Sequence, residues 1–150
     1  MKAITIRQPW AQLIAIGEKK FETRSWRTDY RGDIAIHAGL SKQHLQICLF
    51  EPFSLVLPRH GYHPHFENFP LGAVVAIAEL ADCHLIGCQG GIWRSKNQPY
   101  VPFDKYEKDF GDFGTGRWAW RLTNVRKLDE PMPAIGKQGL WNWDGELDAT

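Results

Sequence analysis

The chain has 150 residues, 43% hydrophobic and 23% charged, with a formal net charge of +1. That length suits one domain with its own hydrophobic core, residues 1–150, and no apolar run approaches the ~18 residues needed to span a bilayer. The opening MKAITIRQPW lacks the apolar core and small-residue cleavage site of a secretory signal, and three cysteines at undistinguished spacings do not make a disulfide framework. A reduced, cytoplasmic, non-membrane protein is expected. Charge is unevenly spread: residues 1–39 hold seven Lys/Arg against four Asp/Glu, residues 40–113 six against eight, and residues 114–150 five against five. A modest basic bias near the start suits a small anionic ligand or a few nucleotides better than long duplex DNA.

In chain order, Lys2 to Ile6 alternates as a short first strand. Pro9 suits a helix start, Trp10, Leu13 and Ile14 recur at i, i+3, i+4, and Gly17 offers a left-handed stop, so a two-turn helix is predicted. Trp10 shares the apolar stripe and reads as core. Lys20 to Trp26 follows as a strand of period two, Phe21 and Thr23 on one side and Glu22, Arg24 and Trp26 on the other. Asp33 to His37 makes a third strand. Ser41 to Phe50 carries Leu45, Cys48 and Leu49 at helical spacing, predicting a helix capped by Ser41. Glu51 to Pro70, with five prolines and glycines and no period, reads as loop. His60, His63 and His65 within it, near Glu67, form H-x-x-H-x-H without a full ligand set, so no metal and no cofactor is expected.

Gly72 to Leu80, GAVVAIAEL, predicts a central strand buried on both faces, with Glu79 as a carboxylate needing a solvated mouth or a cation. Gly87 to Gln98 reads as loop, and the glycines of FGDFGTG match no phosphate loop and read as a turn. Arg117 to Arg126 predicts a long strand, Leu128 to Pro133 a proline-braked connection, and Leu140 to Trp143 a last short strand or extended tail.

The richest window is Gln8 to Arg31, where Lys19, Lys20, Glu22, Arg24, Arg27 and Arg31 interleave with Phe21, Trp26 and Tyr30. Basic side chains alternating with aromatics suit single-stranded nucleic acid, because charge tracks the backbone while any base stacks on an aromatic face. Lys19 is out of phase with Glu22 and Arg24 on an ideal strand, so it joins them only from the bend after Gly17.

Gly17, Lys19, Glu22 and Arg24 meet the pattern G-x-K-x-x-E-x-R, preceded by QPWA at Gln8 to Ala11. With RGDIAIHA at Arg31 to Ala38, GAVVAIAELADC at Gly72 to Cys83, FGDFGTGRWAWRL at Phe110 to Leu122 and GKQGLWNW at Gly136 to Trp143, the chain resembles the ASCH family, relatives of the PUA domains, nearly end to end. The resemblance implies an α+β, PUA-like mixed β-barrel of about five or six strands with two or more short covering helices. It also implies a nucleic-acid-binding module, taking single-stranded RNA or DNA or one nucleotide, modified or not, in a cleft lined by the motif residues Lys19, Glu22 and Arg24, to which the basic and aromatic window adds Trp26, Arg27, Tyr30 and Arg31 as contacts. Some small members are amidohydrolases that deacylate N4-acetylcytidine, and others are linked to ribonuclease activity, which gives a hydrolase as the alternative. The amidohydrolase type uses the motif lysine beside a threonine nucleophile three residues later and a more distant glutamate. Here Lys19 matches the lysine, Glu22 replaces the threonine, and Glu79 is the candidate for the distant glutamate. Water would then have to be the nucleophile.

Overall fold

The computed structural model describes residues 1–62, 68–89, 92–95 and 102–145. The five-residue strand β1 (Lys2–Ile6) leads into helix α1 (Trp10–Ala15). Strand β2 (Phe21–Arg24) and strand β3 (Gly32–Ala38) follow. A 3-10 helix at Leu45–Leu49, helix α2 (Phe53–Val56) and a second 3-10 helix at Leu57–His60 make a compact covering layer. Strands β4 (Ala73–Gln89) and β5 (Ile92–Ser95), helix α3 (Lys105–Asp109), strand β6 (Trp118–Pro133) and strand β7 (Leu140–Asn142) complete the described chain.

The strands form one mixed sheet in the order β2-β6-β4-β3-β1-β7, with β5 paired to the far half of β4. Among the described residues only β1 and β3 run parallel; the remaining pairings are antiparallel. The α+β class and mixed sheet agree with the sequence, but the ladder stays open, with β2 and β7 at its edges, instead of closing into a hydrogen-bonded barrel. A side chain crosses from one side to the other, since the Arg24 guanidinium donates to the Thr5 carbonyl at 2.8 Å.

Alternation divides the core. Ile4, Ile6, Ile34, Ile36, Ala76, Ala78, Leu80, Trp120 and Leu122 meet Ala11 and Ile14 of α1 on one face. Ala3, Ala35, Val74 and Ile77 meet Trp141 and Trp143 on the other. Leu13 of α1 also reaches a second layer, with Leu45, Phe53, Val56, Leu57 and Phe110, so this two-turn helix joins the sheet to the covering layer. Buried Gln8 fixes the approach, its carbonyl accepting the Gln12 N–H at 2.9 Å and its amide donating to the Pro70 carbonyl. The first and last described parts of the fold meet: the Met1 ammonium donates to the Trp143 carbonyl at 2.9 Å, and the Trp143 N–H to the Met1 carbonyl at 2.8 Å.

Four local expectations differ from the structure. The segment 41–50 forms a 3-10 helix from Leu45, and Ser41 caps a turn at Gln43. Buried Leu45 and Cys48 stand three apart, a spacing that a three-residue turn satisfies as well as an α-helical one. Residues 53–60 are helical within the stretch read as loop, because Phe53, Val56 and Leu57 are buried against Leu13 and Phe110. The residues read as loop after Gly87 include a hairpin, with Gln89 opposite Ile92 and Gly87 opposite Arg94. Finally, β6 continues through the segment read as a connection. Beyond Leu122 only β4 flanks it among the described residues, and prolines are tolerated where one side of a strand carries no ladder.

Candidate functional site

The turn after α1 places Lys19. Gly17 has φ of 84°, a left-handed conformation that suits glycine, and the N–H groups of Glu18 and Lys19 both donate to the Leu13 carbonyl at 3.0 Å. This fold-back turns Lys19 inward before β2 begins. Lys19 is 1% exposed, and its Nζ has no hydrogen-bond partner among the described residues. It lies 5.8 Å from the centre of the Phe113 ring and so close to Gly111 that a Cβ there would stand 2.9 Å from Nζ.

Two carboxylates face this cation. Glu22, on β2, is 8% exposed; one oxygen accepts the Thr23 N–H at 2.9 Å and the other the Arg24 guanidinium at 3.2 Å. The second is Glu107 on α3, which accepts the Lys20 N–H with one oxygen and leaves the other buried without a partner among the described residues. Asp104 caps that helix by accepting the Glu107 N–H at 2.8 Å, which fixes where the Glu107 side chain starts. Burial pushes the Lys19 ammonium below its ordinary value, against the opposing pull of Glu22 and then Glu107. Burial likewise pushes the Glu107 carboxyl up, opposed first by Lys19 and then by the N–H groups of Lys20 and Phe21. Both groups are driven toward their uncharged forms, the direction expected of a desolvated pair.

Above this cluster opens a cavity of about 310 Å³ walled by Trp10, Phe53 and Phe110, with Glu22, Asp109 and Asp112 as its carboxylates and Gly111 in its lining. Its volume reaches the lower end of the range of small-molecule sites. Each carboxylate has a cation: Arg24 at 3.2 Å from Glu22, Lys105 at 2.9 Å from Asp109, and Arg117 at 3.4 Å from Asp112. Trp10 is half-buried and serves both as core and as cavity wall, edge-on to Phe53 with ring centres 6.3 Å apart.

The residues singled out in the sequence fall into separate places. Lys19, Glu22 and Arg24 come together from the bend after Gly17. Lys19 is sealed from solvent, so it does not reach a phosphate backbone in this conformation, and Arg24 is engaged by Glu22 and by the Thr5 carbonyl. Glu79 does not join them: it sits opposite Asp33 and Thr123, its neighbours Ala78 and Leu80 face α1, and it accepts from Asn124 at 2.8 Å in an exposed position. Trp26 is 37% exposed and stands edge-on to Trp120, ring centres 4.8 Å apart. Arg27 pairs with Asp29 at 2.8 Å, Tyr30 donates to the Asp33 carbonyl, and Arg31 donates to the carbonyls of Thr28 and Tyr30. His60 pairs with Glu18 at 3.0 Å, while His63, His65 and Glu67 lie outside the described residues.

Sequence reasoning missed Glu107. The signal available was Asp104-x-x-Glu107, a cap followed by an acidic residue at the third helical position, which announces a helix start but not a partner 87 residues away at Lys20.

Comparison with known proteins places these features in a family. The model of the ASCH domain matches residues 4–132. Human activating signal cointegrator 1 is 35% identical over 145 residues, covering 96% of this chain, and its mouse counterpart is 24% identical over 146 residues. The chain spans 22% of the length of each of these curated relatives. Among solved structures, a tyrosine-to-phenylalanine mutant of an ASCH protein from Zymomonas mobilis aligns with a TM-score of 0.43 and 13% identity, covering 88% of this chain and 74% of that one.

Proposed function

The chain belongs to the ASCH family, and from that premise we propose that it is a nucleic-acid-binding module that admits one unpaired base into the cavity beside Glu22. The observation that carries this reading is the combination of aromatic walls at Trp10, Phe53 and Phe110 with a carboxylate held in place from two sides. Aromatic walls accept the face of any base. A fixed carboxylate accepts hydrogen bonds and donates none while ionised, so it selects the amino edge of cytosine or adenine over the carbonyl edge of uracil or thymine. Lys19 lies buried beneath it and interacts electrostatically with Glu22, without being a surface contact.

Tryptophan fluorescence titrations with six-nucleotide cytosine and uracil strands test the reading. The wild type is expected to favour cytosine by ~1–3 kcal/mol. Glu22→Gln, with its stability checked by thermal melting, is expected to lose that preference. Equal affinity of the wild type for both strands refutes the reading.

The Lys19 cluster supports a second reading as a hydrolase on an acylated base. A lysine driven toward its free-amine form between two carboxylates is suited to moving protons, and water would serve as nucleophile since Glu22 has no hydroxyl. Acetate release from N4-acetylcytidine, abolished in Lys19→Met, is the expected sign; no release by the wild type removes this reading.

A further inference from the structure

A second cavity, of about 360 Å³, lies where the segment after β2 passes the start of β6, and it is lined by Arg27, Thr28, Asp29, Arg31, Cys83 and Trp118 among others. Its chemistry differs from that of the Glu22 cavity. Two guanidinium groups oppose one carboxylate, which leaves a net positive lining. Arg31 uses a single terminal nitrogen on the carbonyls of Thr28 and Tyr30, at 3.0 and 2.8 Å, and this fixes the plane of the fork. Arg27 lies 5.9 Å from the centre of the Trp118 ring, so cation and aromatic face form one platform. The Arg27–Asp29 pair holds at 2.8 Å with side chains 62% and 84% exposed, and such an ion pair is weak enough for a phosphate to displace. Burial raises the Cys83 thiol above its ordinary value, so the thiol brings no competing anion.

We infer that this cavity holds a backbone phosphate of the same strand whose base occupies the Glu22 cavity, so that the ligand is a single-stranded oligonucleotide and not a free nucleoside or mononucleotide. The inference rests on the reading of the Glu22 cavity. Thr23 lines the first cavity and Arg27 the second, four residues apart, which limits their backbone separation to about 14 Å. That is about four nucleotides at the 3.4 Å stacked repeat. A second link runs through β6: Arg117 donates to the Thr23 carbonyl at 3.3 Å, and Trp118 beside it lines the phosphate cavity. Between the two in sequence stands Trp26, partly exposed and braced on Trp120, placed to stack an intervening base.

The test titrates the full chain with cytidine monophosphate, a two-nucleotide and a six-nucleotide cytosine strand, and inorganic phosphate, each at several salt concentrations. Arg27→Gln is the main variant, since a side chain this exposed leaves the core untouched; Arg31→Lys, which keeps the charge and loses the fork, is the second. Affinity is expected to rise at least tenfold from monophosphate to hexamer. For Arg27→Gln the slope of log affinity against log salt is expected to shrink by about 0.7, the value for one phosphate contact on a single strand, with the preference for cytosine over uracil unchanged. An unchanged slope, or a hexamer that binds no better than the monophosphate, overturns the inference. Inorganic phosphate that competes with the monophosphate while the hexamer gains nothing identifies a free-anion site and overturns it too. A slope that shrinks in Arg27→Gln while the wild type shows no base preference retains the phosphate contact and rejects only the base reading, so the two failures are distinguishable.

Discussion

Replacing Lys19 by methionine removes the fully buried cation beneath the cleft while keeping a similar side-chain length, and its effect should depend on pH in a defined direction. In the unfolded chain the ammonium holds its proton up to about 10.5; in the folded protein desolvation makes it release the proton at a lower pH. Between those two values the unfolded state binds more protons than the native state, so stability rises with pH. One proton sets the ceiling at ~1.4 kcal/mol per pH unit. Below the folded-state value both states carry the charge and the slope vanishes. Lys19→Met has no such proton, so the difference in unfolding free energy, wild type minus variant, is expected to climb across the alkaline range. Guanidinium unfolding at intervals from pH 8 to 10.5 measures it, with the pH dependence of groups that do not interact with Lys19 cancelling in the difference. A difference that stays constant across this range refutes the claim that burial governs Lys19. Glu107 works in the opposite sense: its carboxyl is raised above 4.5 by burial, so its contribution falls as pH rises from there.

Two further substitutions probe close approaches of the backbone. Gly111→Ala places a methyl 2.9 Å from the Lys19 Nζ and 3.1 Å from the Phe113 ring, and is expected to cost ~1–3 kcal/mol in chemical denaturation while weakening cytosine-strand binding through the displaced floor. Gly136→Ala would bring a methyl to 2.6 Å from the Thr5 hydroxyl and 2.7 Å from the His37 ring. A similar loss in thermal or chemical unfolding is expected, with base preference unaltered. That site holds a hydrogen-bonded chain in which the Trp141 indole donates to Thr5, Thr5 meets His37 Nδ1 at 3.2 Å, and His37 Nε2 meets the Ala134 carbonyl at 2.7 Å. An unchanged stability would show that the ring and hydroxyl give way freely.

How much of this was legible in the sequence follows from the range of the forces involved. Lys2–Ile6 and the heart of β4 are readable because burial on one or both faces imposes a period that the residues must show. The far half of β6 is not, because Pro131 and Pro133 break the usual strand composition, and only the sheet order reveals that their missing N–H groups face no ladder. The β4–β5 hairpin carried a signal that went unused, two glycines between Gln89 and Ile92. In the cleft, the inward turn of Lys19 follows from Gly17 and the strand phase. Glu79 looked equally suited as its partner, since a carboxylate on an apolar strand needs a cation or water wherever it stands; the bulged β4–β6 register, with Asn124 at φ of 48°, gives it Asn124 on an exposed face. Glu107 comes from a segment whose local sequence shows only a capped helix, and its role depends on a tertiary approach.

The pairing of Met1 with Trp143 bears on how such a fold is carried. Because these two positions exchange backbone hydrogen bonds, a longer polypeptide built around the same unit enters and leaves it at one doorway, as an insert and not as a link in a string. Grafting the unit into a surface loop of a host protein then requires no spacer to bridge the two junctions, and rejoining 1 to 143 through a short connector permits new ends to be cut elsewhere.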